Sequence, residues 1–163
     1  MNLYVYADRI ELQKINAAPL WNTIYGRCMG NVLHSFSVNT GTIKHETSHS
    51  IILQKIGNYP VPIFNEGFRQ YTDYLFNEEA YLSDLKITKA NLILLNTEFL
   101  NVNKFNNHMQ NYSISGVFVK YLIDKIGYSE FKAAYSQGKV EEYLNEKYKM
   151  STEQLLAEFK NSL

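Results

Sequence analysis

The sequence predicts an α+β fold, predominantly α, with a small sheet at the front and a helical remainder. Three observations carry that expectation. Short β-branched and aromatic runs bounded by polar turn residues occupy the first forty residues. From Thr42 onward apolar positions recur at helical spacing between glycine and proline stops. No repeat, low-complexity tract or linker divides the chain, so its 163 residues are expected to form one domain, 1–163, β-rich over 1–40 and helical over 41–163.

Taken in order, "LYVY" (Leu3 to Tyr6) and "NVLHSFSV" (Asn31 to Val38) read as strands. In the second, Val32, His34, Phe36 and Val38 share one face, and Ser35 and Ser37 the other. That places His34 on an apolar face, where a packed histidine with one hydrogen bond outweighs a ligand. A helix follows from Thr42 to Ile56, with Gly57 placed to end it and "NYPVP" (Asn58 to Pro62) as the turn. Pro62 suits the first turn of a second helix, which runs through Glu66 and Gly67 to Phe76. A third helical stretch is expected from Thr88 to Leu100, then an asparagine-rich loop, Asn101 to Asn111. Tyr112 to Ile126 reads as a strong helix stopped by Gly127, and Ser129 to Ser136 and Val140 to Tyr148 as shorter ones. The last helix begins at Ser151, which has capping-box spacing to Gln154.

Composition removes several function classes. With 16 basic and 16 acidic residues in no long block, the chain lacks the footprint of a phosphate-backbone binder, and nucleic acid is not an expected partner. No apolar run is long enough to span a bilayer. The start, "MNLYVYADRI", has neither the basic nor the apolar region of a signal peptide. The chain as written is therefore expected in the cytoplasm, or outside it if the sequence is a piece of a longer exported protein. Cys28 is the single cysteine, which excludes an internal disulfide framework and a cysteine-based zinc cluster. The 13 tyrosines fall mostly at helical spacing and are expected to pack with their hydroxyls reaching water.

The chemistry concentrates in "TIKHETSHSI", Thr42 to Ile51, which holds His45, Glu46 and His49 in the spacing HExxH. Residues four apart lie one above the other on a helix, so His45 and His49 can aim two imidazoles at one point. That is what a tetrahedral zinc site requires of a single helix. Glu46 projects beside them, able to reach a metal-bound water without ligating the metal. The flanking Ile43, Thr47, Ser48, Ser50 and Ile51 are uncharged, which lets the helix be buried around an ion.

Two imidazoles do not hold a catalytic zinc, and Glu66, Asp73, Glu78 and His108 are the downstream candidates for a third ligand. Glu66 is the best placed. From His49 the first helix continues two turns, roughly 12 Å, to Gly57. The proline turn then reverses the chain, and the second helix climbs back one turn to Glu66. Gly67 beside it costs helix stability, so a close helix approach or site access is the expected reason. Gln70 lies one turn on, where its amide oxygen suits the free ring N–H of a ligating histidine, an outer-sphere role that fixes the tautomer. A solvated helix position is the equal alternative for Gln70.

These residues resemble the gluzincin group of metallopeptidases, and within it the compact bacterial peptidase MA-like domain. That family reads H-E-apolar-small-H and then aromatic-x-x-E-G-x-A-x-Y after a short turn. The chain offers His45-Glu46-Thr47-Ser48-His49 and "IFNEGFRQY", Ile63 to Tyr71. "YSISGVFVKYLIDKIG", Tyr112 to Gly127, resembles the family's next helix, so the likeness spans Asn31 to Leu163. It implies a zincin-like fold, zinc bound by His45, His49 and Glu66, and peptide-bond hydrolysis with Glu46 as general base. In related gluzincins a downstream tyrosine or histidine stabilises the oxyanion; Tyr112 is favoured here over His108, although a core tyrosine and a solvated loop histidine are the commoner roles for such residues.

Arg69 and Gln70 depart from the family, which has a small residue and Glu at those positions. A neutral amide beside the ligands leaves a histidine less basic than a carboxylate would. The alternative reading is therefore a catalytically weak or inactive binding module on a zincin scaffold, and beyond it a helical domain without metal. The expected substrate is a peptide or protein. No acidic N-terminus-binding motif precedes His45, which favours an endopeptidase over an aminopeptidase. The residues do not disclose cleavage specificity or oligomeric state.

Overall fold

In a computed structural model of the chain, residues 2–6, 8–15, 26–29, 32–36, 40–57, 61–96 and 109–163 are described. They are predominantly helical with a small N-terminal sheet, and they divide into two compact units, Met1–Lys55 and Ile56–Leu163. Among the described residues no helix is long and apolar enough to cross a membrane.

The described residues of the first unit form β1 Asn2–Val5, α1 Arg9–Ile15, β2 Gly26–Met29, β3 Val32–Ser35 and α2 Thr40–Lys55. The strand order is β1-β3-β2, with β1 parallel to β3 and β2 antiparallel to it. Helix α1 and strand β2 are additions to the front that the sequence reads as two strands. A seven-residue helix shows almost no periodicity; its start signal is Asp8, whose Oδ1 accepts from the Glu11 N–H at 2.8 Å. Strand β2, "GRCM", has no alternation of its own and is defined by pairing Gly26 with Ser35 and Met29 with Val32.

The inward face of β3 is the reverse of the one expected. Leu33 and Ser35 are fully buried, whereas Val32 and His34 are only partly covered. Alternation fixes which residues share a face and leaves open which face turns inward. His34 is nonetheless a packed, hydrogen-bonded histidine. Its ring stacks between Tyr4 and Tyr6, 5.7 Å from each, and its Nδ1 meets the Tyr6 hydroxyl at 2.6 Å.

The second unit is helical: α3 Pro62–Tyr74, α4 Glu78–Ala90, a 3-10 turn at Leu92–Leu94, α5 Met109–Ile126, α6 Tyr128–Ser136, α7 Val140–Tyr148 and α8 Thr152–Ser162. Pro62 occupies the first turn of α3 as its fixed φ predicts. Gly57 at φ 120° and Gly127 at φ 88° take the left-handed conformation that stops a helix. Ser151 and Gln154 close a full capping box at α8.

The third helix lies ten residues earlier than expected. Asn77 caps α4 by accepting from Ala80 N–H at 3.1 Å, and Glu78 and Glu79 favour its positive N-terminus. The apolar run after Ala90 forms only the 3-10 turn, where Ile93 is 84% exposed. The asparagine-rich loop falls largely outside the described residues.

Helix α5 is the axis of the second unit, with Ile114, Phe118, Val119 and Leu122 fully buried. Phe68 of α3 packs on Phe131 and Tyr135 of α6, at 5.2 and 5.0 Å between rings, and Phe118 on Phe159 of α8 at 5.1 Å. Two glycines let α3 and α5 approach closely. A Cβ on Gly67 would stand 2.4 Å from the Ser115 carbonyl oxygen, and one on Gly116 would stand 2.3 Å from the Tyr74 hydroxyl. The helix-packing reason expected for Gly67 is therefore present, with α5 as the partner.

Candidate metal centre

Helix α2 carries the HExxH residues in its middle two turns, clear of either frayed end. The four-residue spacing brings His45 and His49 together: their Nε2 atoms lie 3.0 Å apart, with ring centroids 4.7 Å apart and planes inclined at 71°. One Nε2–H donates to the other Nε2. Two nitrogens on one tetrahedral zinc, at Zn–N of about 2.0–2.1 Å, stand about 3.3 Å apart. The pair thus fits the separation the ion demands, with both rings half-buried and presented edge to face.

Glu46 follows on the same helix, about 100° further round, and is half-buried. Below the histidines, the buried Ser50 hydroxyl accepts from Gln54 Nε2 at 2.8 Å, while Ser48 folds back onto the Lys44 carbonyl at 2.9 Å. Neither serine competes for the imidazole nitrogens through these bonds.

Glu66 belongs to the second unit, in the middle of α3. Arg69, 5% exposed, holds it from one turn further along: Nη1 lies 3.1 Å from Glu66 Oε1. The other arm of the guanidinium, Nη2, donates to Asn65 Oδ1 at 3.0 Å, and the Tyr135 hydroxyl donates to that same oxygen at 2.8 Å. The sequence marks Arg69 only as a departure from a family pattern. The i, i+3 and i, i+4 spacing of Glu66, Asn65 and Arg69 is the local signal for this network, whereas Tyr135 enters from α6 with no sequence cue.

Gln70 donates its amide N–H to Asp84 Oδ2 at 2.9 Å. Asp84 is a buried carboxylate of α4 that also accepts from the Tyr74 hydroxyl at 2.7 Å and the Ser113 hydroxyl at 2.6 Å. Three helices thus converge on one carboxylate, and Gln70 is part of that junction. Burial, and then the Asp84 charge, push the Tyr74 phenol well above the ordinary tyrosine range, so it stays a donor at any ordinary pH.

Tyr112 stands in the first turn of α5 and is half-buried. Asp73 lies two turns beyond Glu66 in α3, half-buried, and Glu78 is exposed at the start of α4. His108 lies outside the described residues. No family model, no curated protein and no solved structure matches the chain.

Proposed function

We propose that the protein is a zinc-dependent peptidase of gluzincin type with a zincin-like fold, in which His45, His49 and Glu66 hold the ion. The single observation that carries the reading is the convergence of the His45 and His49 Nε2 atoms to 3.0 Å on one helix. The donor set supports it. Two neutral imidazoles and one carboxylate are the ligand set of an open zinc site that turns over substrate.

Bound there, zinc supplies a water acidified toward neutral pH and a Lewis acid for a carbonyl. The rest falls to the chain. His45 and His49 contribute neutral Nε2 lone pairs, so their shared N–H···N bond gives way on loading. Glu46 is the general base: a carboxylate oxygen takes a proton from the attacking water and returns it to the leaving amine. Tyr112 donates its phenolic hydrogen to the oxyanion developing on the scissile carbonyl. The substrate is a peptide or protein, cut internally.

Two measurements test this. Purified protein exposed to zinc and then desalted should retain one equivalent by elemental analysis. Glu46→Gln should keep that zinc and lose hydrolysis of a mixed peptide library. Protein that takes up no zinc rejects the metal centre, and hydrolysis surviving in Glu46→Gln rejects Glu46 as the base.

A further inference from the structure

Arg69 lies one turn along α3 from Glu66, and it is almost wholly buried. Burying a guanidinium is costly, and one ion pair returns little of that cost. What the fork does provide is orientation. Its two nitrogens bind two different acceptors from one rigid plane, Glu66 Oε1 at 3.1 Å and Asn65 Oδ1 at 3.0 Å. Asn65 is itself fixed by the hydroxyl of Tyr135, whose ring is fully buried between Phe68 and Phe131. A flexible glutamate side chain is thereby tied, through three consecutive hydrogen bonds, to the rigid aromatic core of the second unit.

We infer that Arg69 is a positioning residue: the Tyr135–Asn65–Arg69 relay orients the Glu66 carboxylate as a metal ligand. This rests on Glu66 being a ligand, as proposed above. Fixing the rotamer in advance strengthens binding by removing an ordering cost.

The experiment measures zinc affinity by competition with a chromophoric chelator, and the visible absorption of the cobalt(II)-loaded protein. It uses the full chain as wild type, Glu66→Ala, Arg69→Met, Arg69→Lys and Tyr135→Phe. Arg69→Met should weaken zinc binding about tenfold, the usual effect of losing an outer partner of a ligand. Arg69→Lys should weaken it comparably, because an ammonium keeps the charge and loses the planar fork. Tyr135→Phe should shift it in the same direction by a smaller factor. The cobalt absorption of Arg69→Met should differ from that of the wild type, the mark of a carboxylate ligand that has lost its fixed orientation.

Melting in the presence of a chelator separates folding from binding. If Arg69→Met does not fold, Tyr135→Phe, which keeps the core ring, decides alone. Wild-type zinc affinity in Arg69→Lys, or in both folded Arg69→Met and Tyr135→Phe, overturns the relay. Wild-type zinc affinity in Glu66→Ala instead removes Glu66 as a ligand, and with it the reading on which the relay rests.

Discussion

His45 Nε2 and His49 Nε2 lie 3.0 Å apart on one face of α2, at the distance of a hydrogen bond and close to that of two ligands sharing an ion. Metal should therefore stabilise the folded protein measurably. At a free zinc concentration 100-fold above Kd, linkage contributes about 2.7 kcal/mol. For a chain of this size that is a rise in Tm of roughly 5–10 °C. His49→Ala should show no such rise with zinc over its own melting temperature in chelator. An equal zinc-induced rise in His49→Ala, followed by differential scanning fluorimetry, would place the ion elsewhere.

Gly67 sits where a methyl group would meet the Ser115 carbonyl oxygen at 2.4 Å and Val119 Cγ2 at 2.6 Å. The first neighbour is backbone in the middle of α5 and cannot turn aside, so α3 and α5 must separate. Gly67→Ala should destabilise the protein by about 1–3 kcal/mol through overpacking. The better helix propensity of alanine, worth about 1 kcal/mol, offsets part of this. The urea midpoint of purified Gly67→Ala measures the balance. A midpoint at or above wild type would mean that the helices have room to give.

Asp84 accepts from Gln70, Tyr74 and Ser113, so its removal strands three donors between α3, α4 and α5. Each buried donor left without an acceptor costs about 1–3 kcal/mol, and water entering the vacated space recovers some of it. Asp84→Ala should therefore lose about 3 kcal/mol or more in urea unfolding. Ser113→Ala, which removes a single donor and strands none, should lose about 1 kcal/mol. Equal losses in the two variants would show that the carboxylate is not the centre of the junction.

What the sequence disclosed was what is local in it. His45 and His49 meet because they are four apart on a helix, and Gly57, Pro62, Gly127 and Ser151 punctuate helices through their own backbone chemistry. The misplaced third helix shows the limit of periodicity. The apolar run that suggests a helix over Thr88 to Leu100 forms a 3-10 turn at Leu92–Leu94, whereas the helix itself starts at the Asn77 cap. Alternation along β3 is symmetric, so which of its faces turns inward is set by packing and not by the strand's own sequence. Contacts far apart in sequence left no trace at all. Ser113 reaches Asp84 across 29 positions, and Tyr135 reaches Asn65 across 70. Arg69 lies between these cases: its spacing to Glu66 was visible, but its burial, which turns an ordinary surface pair into an orienting one, was not.

The Tyr74 hydroxyl, buried and bonded to Asp84, gives the fold a dependence on alkaline pH. Its folded pKa lies above the ordinary value near 10, so folded and unfolded states carry the same proton below that pH and stability there is unaffected by it. Above it the unfolded chain releases the phenolic proton and the folded chain keeps it. The unfolded state then binds fewer protons, and stability falls by about 1.4 kcal/mol per pH unit from this group alone. Tyr74→Phe removes that slope but also removes a hydrogen bond to a carboxylate, worth about 1.5–3 kcal/mol at neutral pH. The variant should therefore be less stable than wild type at pH 8 and approach it as pH rises past 10. Tyr71 and Tyr121, whose phenols are also raised, chiefly by burial, remain in both proteins and cancel from the comparison. Urea titrations from pH 8 to pH 11 give the two curves, and parallel curves would mean that Tyr74 ionises in the fold as readily as in water.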